Sequence, residues 1–157
     1  MAYVGASESP PGCIFCHALE SRDDRARLVL HRSTHAFLIL NAFPYTPAHL
    51  MAVPNRHVAG IGDATPEELA DVMRLTQVAL RALAAEYRAD GFNLGINQGR
   101  VAGAGVLDHV HMHVVPRWNG DVNFMPVIGE TRVLPESLEA TWERLRKAIH
   151  GGSALHG

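Results

Sequence analysis

Three histidines alternate with apolar residues in the segment His109-Val110-His111-Met112-His113. Successive side chains of a β-strand point to opposite faces, so this alternation predicts a strand with three imidazoles on one face and apolar side chains on the other. A helix would scatter the imidazoles around its axis and leave the apolar residues without a common face. The spacing therefore predicts a row of imidazoles on one strand.

This row of imidazoles fits three kinds of site. It can be the polar face of an ordinary sheet, or it can hold a catalytic zinc ion, because imidazole is a common zinc ligand. It can also perform nucleophilic catalysis at phosphorus, where one imidazole attacks and its neighbours handle charge and protons near neutral pH. An expression tag is excluded, since tags are contiguous and terminal.

A glycine-rich loop, residues 98–105, precedes the histidine strand. Because the loop leads into a strand and not into a helix, it is neither a Rossmann fingerprint nor a Walker loop. Glycine backbone can approach a phosphate closely and present amides to it. The alternative interpretation is a flexible hairpin turn, and the residues alone leave both open.

Two cysteines, Cys13 and Cys16, form a CxxC near the start of the sequence. Residues 1–5 lack a signal-peptide pattern, so we expect a cytoplasmic protein in a reducing compartment. In that compartment a close cysteine pair is more often a metal site or a redox pair than a structural disulfide. A tetrahedral zinc ion would need two ligands besides the two thiolates. The other interpretation is a pair of reduced, packed cysteines.

The length of 157 residues suffices for one domain with a hydrophobic core. The formal net charge is −2 and no run of Lys and Arg occurs, which argues against binding to long nucleic acid but not against small nucleotides. No apolar run approaches the length of a membrane span. We expect a flexible N-terminal tail at residues 1–12, a single domain at 13–150 and a flexible C-terminal tail at 151–157.

The order of predicted elements indicates an α+β fold with a mainly antiparallel sheet of about five strands. Extended segments are predicted at residues 28–31, 35–41, 49–54 and 92–97 and in the histidine strand, and residues 122–127 follow as a further extended segment.

Two helices accompany these strands. A long helix begins with Thr65 as N-cap, Pro66 at the first helical position and Glu68 completing a capping box, and it ends at about residue 89. Its apolar stripe over residues 69–83 fits either a monomer core or a subunit interface. A C-terminal helix is predicted from about residue 135 to 149.

The segment His109-Val110-His111-Met112-His113-Val114-Val115 resembles the histidine triad (HIT) motif, in which three histidines alternate with apolar residues. The similarity extends from Cys13 through residues 48–49 and 97–99 to the tail Pro116-Arg117-Trp118. That tail and the following Gly120, Asp121, Asn123 and Phe124 resemble the branch that includes bacterial diadenosine tetraphosphate phosphorylases. The resemblance implies a HIT-like fold whose sheet is joined across a homodimer.

The resemblance also implies catalytic roles for three histidines. His111, the middle histidine, is the nucleophile that attacks an α-phosphate and carries the nucleotidyl group. His113 holds phosphoryl oxygens or protonates the leaving group, and His49 is a further histidine on the phosphate side. The residue before His49 is usually glycine in the family and is Ala48 here, which raises the question of close packing at that position.

Nucleotide contacts follow from the same resemblance. The residues implied are Asn41 on the ribose hydroxyls, Asn97, Gly103 and Gly105 around the phosphates, and Trp118. Without the family, Asn41 fits equally well as a loop asparagine that caps a turn. Relatives carry a serine just before the motif, whereas Gly105-Val106 lacks the hydroxyl. A proton for the leaving group must therefore come from another donor, such as His113 or water.

Zinc-containing HIT proteins resemble this chain in four ligand positions, which here are Cys13, Cys16, His57 and His109. A site closed by four protein ligands would be structural and not catalytic. It would tie the N-terminal segment to the histidine strand and keep His109 deprotonated. His17 is an alternative ligand with less favourable geometry. The remaining histidines are expected at the surface: His31, His35, His150 and His156.

The function implied is that of an enzyme that cleaves at an α-phosphate of an adenine (di)nucleotide, such as diadenosine tetraphosphate, through a nucleotidyl-His111 intermediate. Water attack on this intermediate would make a hydrolase, and phosphate attack a phosphorylase. The alternatives are an adenosine phosphoramidate hydrolase of the Hint type and a nucleotide-binding regulatory protein with little turnover. The expected partners are a small nucleotide and a second copy of the chain, without a membrane or a nucleic acid polymer.

Overall fold

The computed structural model describes residues 12–121 and 136–151. This part of the chain contains three α-helices and five strands. In chain order they are α1 (Ile14–Glu20), β1 (Val29–Arg32), β2 (Ala36–Leu40), β3 (Leu50–Pro54), α2 (Pro66–Tyr87), β4 (Gly91–Gly95), β5 (Met112–Arg117) and α3 (Leu138–Gly151). The extended segment predicted at residues 122–127 lies outside the described residues, as do the predicted tails apart from Gly12 and Gly151.

The five strands form one sheet in the order β1-β2-β3-β5-β4, and every neighbouring pair is antiparallel. This confirms the predicted α+β fold. Prolines in the loop between β2 and β3 and at the end of β3 stop these strands, because proline cannot donate to a ladder. Among the described strands, β1 and β4 lie at the two edges of the sheet.

The two faces of the sheet pack against different helices. One face, which includes Leu38, Leu50 and Val114, packs against α2 and α3 in the larger core. The opposite face, which includes Phe37 and Met51, packs against α1 in a smaller core. Met51 is paired with His113 across the β3–β5 ladder, so the His113 side chain lies on the α1 face.

Helix α2 begins as the sequence predicts. The Thr65 hydroxyl accepts the Glu68 backbone N–H at 3.2 Å, and the Glu68 carboxylate accepts the Thr65 N–H at 2.8 Å, which completes the capping box. The helix ends at Tyr87, earlier than predicted, because Arg88 adopts a left-handed φ of 49°. Its apolar stripe lies in the core of this chain, while Met73 is 48 % exposed. No described helix is both long and apolar enough to span a lipid bilayer.

Two details of the prediction are wrong. The ladder of β5 begins at Met112, so His109 and His111 lie ahead of the strand and only His113 is within it. The residues from Ile14 to Glu20 form a helix that the sequence analysis did not predict. The seven-residue helix is too short for a clear apolar period, which explains why the pattern did not reveal it.

Candidate functional site

His111 is a buried imidazole whose tautomer follows from its hydrogen bond. Its Nδ1–H donates to the backbone carbonyl of His109 at 3.0 Å. A carbonyl only accepts, so Nδ1 carries the proton, and the neutral ring keeps an unprotonated lone pair on Nε2. Burial lowers the pKa of His111, which favours the neutral form. The ring can therefore act as a nucleophile through Nε2.

His49 and His113 form a hydrogen-bonded pair next to His111. The Tyr45 backbone N–H donates to His49 Nδ1 at 3.1 Å, so His49 carries its proton on Nε2. That nitrogen lies 3.0 Å from His113 Nδ1 and donates to it. Burial, with a further contribution from His111, lowers the pKa of His113 to about 4. The neutral His113 ring then carries its proton on Nε2 and can donate it.

Tyr45 is a residue of this site that the sequence analysis missed. Its ring lies over His49 and His113, with centroid distances of 4.7 and 6.0 Å and interplanar angles of 33° and 28°. The ring is 48 % exposed. The signal available in the sequence is its place between Pro44 and Pro47, in the short loop that leads into His49.

Asn41 lies beside the histidine pair and also holds a turn. Its Oδ1 accepts the Phe43 backbone N–H at 2.9 Å, as expected for an asparagine that caps a turn. Its Nδ2 is 3.3 Å from His49 Nδ1. The structure thus places Asn41 next to His49, and its binding of a ribose stays a prediction.

Ala48, which stands where the family usually has glycine, adopts a left-handed backbone conformation. Its φ of 60° lies in the left-handed region, which favours glycine because a Cβ crowds the following carbonyl oxygen. The methyl group itself is buried in the larger core, with 4 % exposure. The departure from glycine therefore strains the backbone directly before His49 and does not open a gap in the packing.

The glycine-rich loop contains a short 3-10 helix, Arg100–Ala102, between two glycines with positive φ. Gly99 and Gly103 adopt φ values of 84° and 83°. Asn97 Nδ2 donates to the Gly103 carbonyl at 3.4 Å, which closes the loop on itself, and Gly105 lies beyond it on exposed backbone. The phosphate contacts of Asn97, Gly103 and Gly105 stay predictions.

Trp118 lies away from the histidines. Its indole Nε1–H donates to the Tyr87 carbonyl at 3.0 Å, at the end of α2. Along extended backbone the five-residue separation from His113 corresponds to about 16 Å. With Tyr87 and three other residues, Trp118 lines a cleft of about 470 Å³. Its predicted contact with nucleotide stays a prediction.

The four predicted metal ligands come together in the structure. The ligand atoms of Cys13, Cys16, His57 and His109 all lie within 4.8 Å of one another. His109 Nδ1 is 3.3 Å from Cys13 Sγ and 3.7 Å from Cys16 Sγ, and His57 Nδ1 is 3.4 Å from Cys16 Sγ.

These distances fit a tetrahedral zinc ion, whose sulfur and nitrogen ligands stand about 3.5 Å apart given the usual bond lengths. His109 is 0 % exposed and donates its Nε2–H to the Pro54 carbonyl at 2.8 Å, which leaves Nδ1 unprotonated toward the thiols. Burial lowers the pKa of His109, which also favours a neutral ligand. The alternative ligand His17 is not part of the group.

Phe15 is a second residue that the sequence analysis missed. It lies between the two cysteines in α1 and is 1 % exposed. Its ring centroid is 5.3 Å from that of His109 and 5.0 Å from that of His111. The signal in the sequence is a large apolar residue inside the CxxC. In the structure this residue contacts the ring of His109, which both thiols also contact.

Comparison with known proteins identifies the fold and its relatives. Residues 23–120 match the model of the HIT domain. An AP-4-A phosphorylase of Mycobacterium tuberculosis is 44 % identical over 118 residues, which are 75 % of this chain and 60 % of that protein. This chain thus matches less than two thirds of that relative's length. An uncharacterised HIT-like protein of the same organism is 36 % identical over 87 % of this chain and 92 % of its own length.

Solved structures agree with this assignment. A zinc-bound histidine triad family protein from Mycobacterium smegmatis superposes with a TM-score of 0.70 and 28 % identity, covering 89 % of this chain and 94 % of its own. Plasmodium falciparum diadenosine triphosphate hydrolase, solved with cyclomarin A, shares the fold with a TM-score of 0.65, 22 % identity, and coverage of 82 % and 77 %. The motif, the sheet and these matches agree, and the chain belongs to the histidine triad (HIT) family.

Proposed function

We propose that this protein is a nucleotidyl hydrolase or transferase that cleaves an adenine dinucleotide, such as diadenosine tetraphosphate, at an α-phosphate. In the first step His111 Nε2 forms a bond to the α-phosphorus, and the bond from that phosphorus to the bridging oxygen breaks. The leaving polyphosphate takes a proton. Water or inorganic phosphate then attacks the nucleotidyl-His111 intermediate and regenerates the imidazole.

The observation that carries this proposal is the hydrogen bond from His111 Nδ1 to the His109 carbonyl. It fixes the neutral ring in the tautomer that keeps a lone pair on Nε2, as a nucleophile at phosphorus requires. A zinc ligand that binds through Nε2 would need the same tautomer, so the hydrogen bond alone does not exclude a metal site on the three triad histidines. The metal-ligand geometry lies instead around His109 and the two cysteines.

His113 is the proposed proton donor to the leaving group. The chain from the Tyr45 N–H through His49 to His113 Nδ1 leaves a proton on His113 Nε2. This donor can replace the serine hydroxyl that the residues before the triad lack. Asn41, Asn97, Gly103, Gly105 and Trp118 are proposed to contact the nucleotide.

The substrate class is proposed from the relatives. An AP-4-A phosphorylase is 44 % identical to this chain, and a diadenosine triphosphate hydrolase shares the fold. Both names describe enzymes that act on two adenosines joined by a polyphosphate. The family match supports a small nucleotide as substrate, and the exact reaction is the part that needs an experiment.

The test is to incubate the pure protein with diadenosine tetraphosphate, with and without inorganic phosphate, and to separate the products. ATP plus AMP would identify a hydrolase, and ATP plus ADP formed only with phosphate would identify a phosphorylase. Absence of products would contradict the dinucleotide proposal. The same assay with adenosine phosphoramidate would then test the Hint-type alternative, and binding without turnover would favour a regulatory protein.

We also propose that Cys13, Cys16, His57 and His109 hold a structural zinc ion. Zinc would supply a crosslink between α1, the segment after β3 and the segment before β5, with no open coordination position. Elemental analysis should find about one zinc per chain. The double variant Cys13→Ser, Cys16→Ser should lose it, whereas His111→Ala should keep it. The opposite pattern would favour a zinc site on the triad.

A homodimer in the cytoplasm is proposed as the working form. The β4 strand is an open edge of the described sheet, and Leu94 on it is 46 % exposed, which suits pairing with a second copy. Cys13 and Cys16 are not joined by a disulfide, in keeping with a reducing compartment. Light scattering at micromolar concentration should give twice the chain mass, and a monomer mass would contradict the dimer.

A further inference from the structure

The segment that carries His111 lies just outside the ladders of the sheet. The last residue pair between β3 and β5 is Ala52 with Met112, so these pairings do not reach residues 109–111. Instead, the Val110 backbone N–H donates at 2.8 Å to the carbonyl of Val58, in the connection between β3 and α2. The His109 ring donates to the carbonyl of Pro54, the last residue of β3 before that connection. The candidate metal ligand His57 lies within that connection. The position of this segment therefore depends on the surroundings of the metal site.

Two contacts join the metal ligands to the proposed nucleophile. The first runs through His109 itself. Its ring contacts the Cys13 thiol, and its backbone carbonyl accepts the hydrogen bond from His111 Nδ1–H. The second runs through Phe15, which lies between Cys13 and Cys16 and packs against the rings of both His109 and His111. The His111 side chain is only 4 % exposed in this arrangement.

We propose that metal occupancy at Cys13, Cys16, His57 and His109 fixes the position of His111, and that Phe15 is the positioning residue that transmits the effect. This inference rests on the proposed function of His111 as the nucleophile. The metal centre then acts on the reaction at a distance from the phosphate, through the burial and orientation of one imidazole.

The physical reason lies in the short helix α1. Seven residues do not form a stable helix alone in water, so α1 needs its anchors. Without a metal, the anchors at its start are weak S–H contacts to two imidazoles and the packing of Phe15 in the smaller core. Loss of the metal should free the start of α1, withdraw Phe15 from the triad and expose His111 to solvent.

The first measurement compares zinc-loaded with chelator-treated full-length protein. Each sample is treated briefly with diethylpyrocarbonate, which modifies accessible imidazoles, and modified peptides are quantified by mass spectrometry. We expect modification of His111 to rise about tenfold when zinc is removed, because local opening of this segment would make the imidazole about tenfold more accessible to the reagent. His150, which is exposed on α3 and contacts Leu30 of β1, serves as an internal control.

The second measurement uses two variants of α1 with zinc bound. Elemental analysis should show that Phe15→Leu keeps its zinc. The variant should show more modification of His111 and a lower kcat, with little change in KM. Ile14→Ala removes the neighbouring side chain, which is 48 % exposed, and should change none of these values. Circular dichroism verifies that each sample keeps its helices, so that Phe15→Leu still decides the question if removal of zinc unfolds the chain.

Three results would overturn the inference: equal His111 modification with and without zinc in folded protein, Phe15→Leu behaving like Ile14→Ala, or failure of the protein to bind zinc. The modification assay needs no substrate. A protein that cleaves no nucleotide but shows the zinc-dependent change at His111 would contradict the proposed function alone.

Discussion

At the scale of the residue, backbone groups set the protonation of the imidazoles. The His109 carbonyl fixes the proton of His111 on Nδ1, and the Tyr45 N–H fixes that of His49 on Nε2. The triad spacing predicted His111 and His113 as candidate site residues. It could not predict these tautomers, because the donors and acceptors belong to the main chain of other residues and depend on the exact path of two loops.

Ala48 gives a prediction at this scale. Ala48→Gly and Ala52→Gly both remove a buried methyl group and both add backbone freedom in the unfolded chain, but only Ala48 has a left-handed φ. Relief of that strain should make Ala48→Gly less costly than Ala52→Gly by about 1–2 kcal/mol in the free energy of unfolding. Urea denaturation measures the difference. Equal costs for the two variants would show that the backbone at Ala48 is not strained.

At the scale of the element, the sequence predicts the long elements well and the short ones poorly. Helix α2 has 22 residues, a capping box and a repeated apolar stripe, and its start was predicted correctly. Helix α1 has seven residues and no side-chain cap, so nothing periodic marks it. The histidine strand was predicted too long, because residues 109–111 alternate histidine with an apolar residue as a strand does but have no partners in the ladders.

The capping box supplies the prediction for this scale. Thr65→Ala removes the hydroxyl that accepts the Glu68 N–H, so the free energy of unfolding should fall by about 1 kcal/mol. Thr65→Ser keeps the hydroxyl and should stay within a few tenths of a kcal/mol of the parent protein, roughly the scatter of such measurements. Chemical denaturation of the two variants tests this. A loss of the same size in both would assign the effect to the methyl group of threonine.

At the scale of the whole molecule, the C-terminal helix covers one edge of the sheet. Side chains of α3 bind carbonyls of β1: the Trp142 indole N–H donates to Val29, and Arg146 and His150 donate to Leu30. The sequence analysis placed His31 and His150 at the surface; His150 is exposed as predicted, whereas His31 is half-buried. The centroids of their two rings are 5.1 Å apart. The sequence could not predict this contact, because it depends on where α3 packs.

This interface predicts a pH dependence of stability. Burial, then His150, Arg74 and Arg146, lowers the pKa of His31 below the ordinary 6.5, and Asp71 only partly opposes this. As the pH falls through 6.5, the unfolded chain therefore takes up a proton at His31 before the folded chain does, and stability decreases. One such group contributes at most about 1.4 kcal/mol per pH unit.

His31→Gln should reduce the loss of stability between pH 7 and pH 5, and His35→Gln, which changes an exposed histidine, should not. Thermal unfolding at a series of pH values measures both slopes. If the slope of His31→Gln equals that of the parent protein, the proton uptake belongs to other histidines.

The central claim is that His111 carries the nucleotidyl group. The direct measurement is to mix the protein with diadenosine tetraphosphate, quench within the first turnover, and determine the intact mass and the modified peptide by mass spectrometry. We predict an adenylyl group on the His111 peptide that disappears in His111→Gln and persists longer when phosphate and other acceptors are left out. Products formed without any adduct, or an adduct on His113 or His49 instead, would contradict the assignment of His111 as the nucleophile.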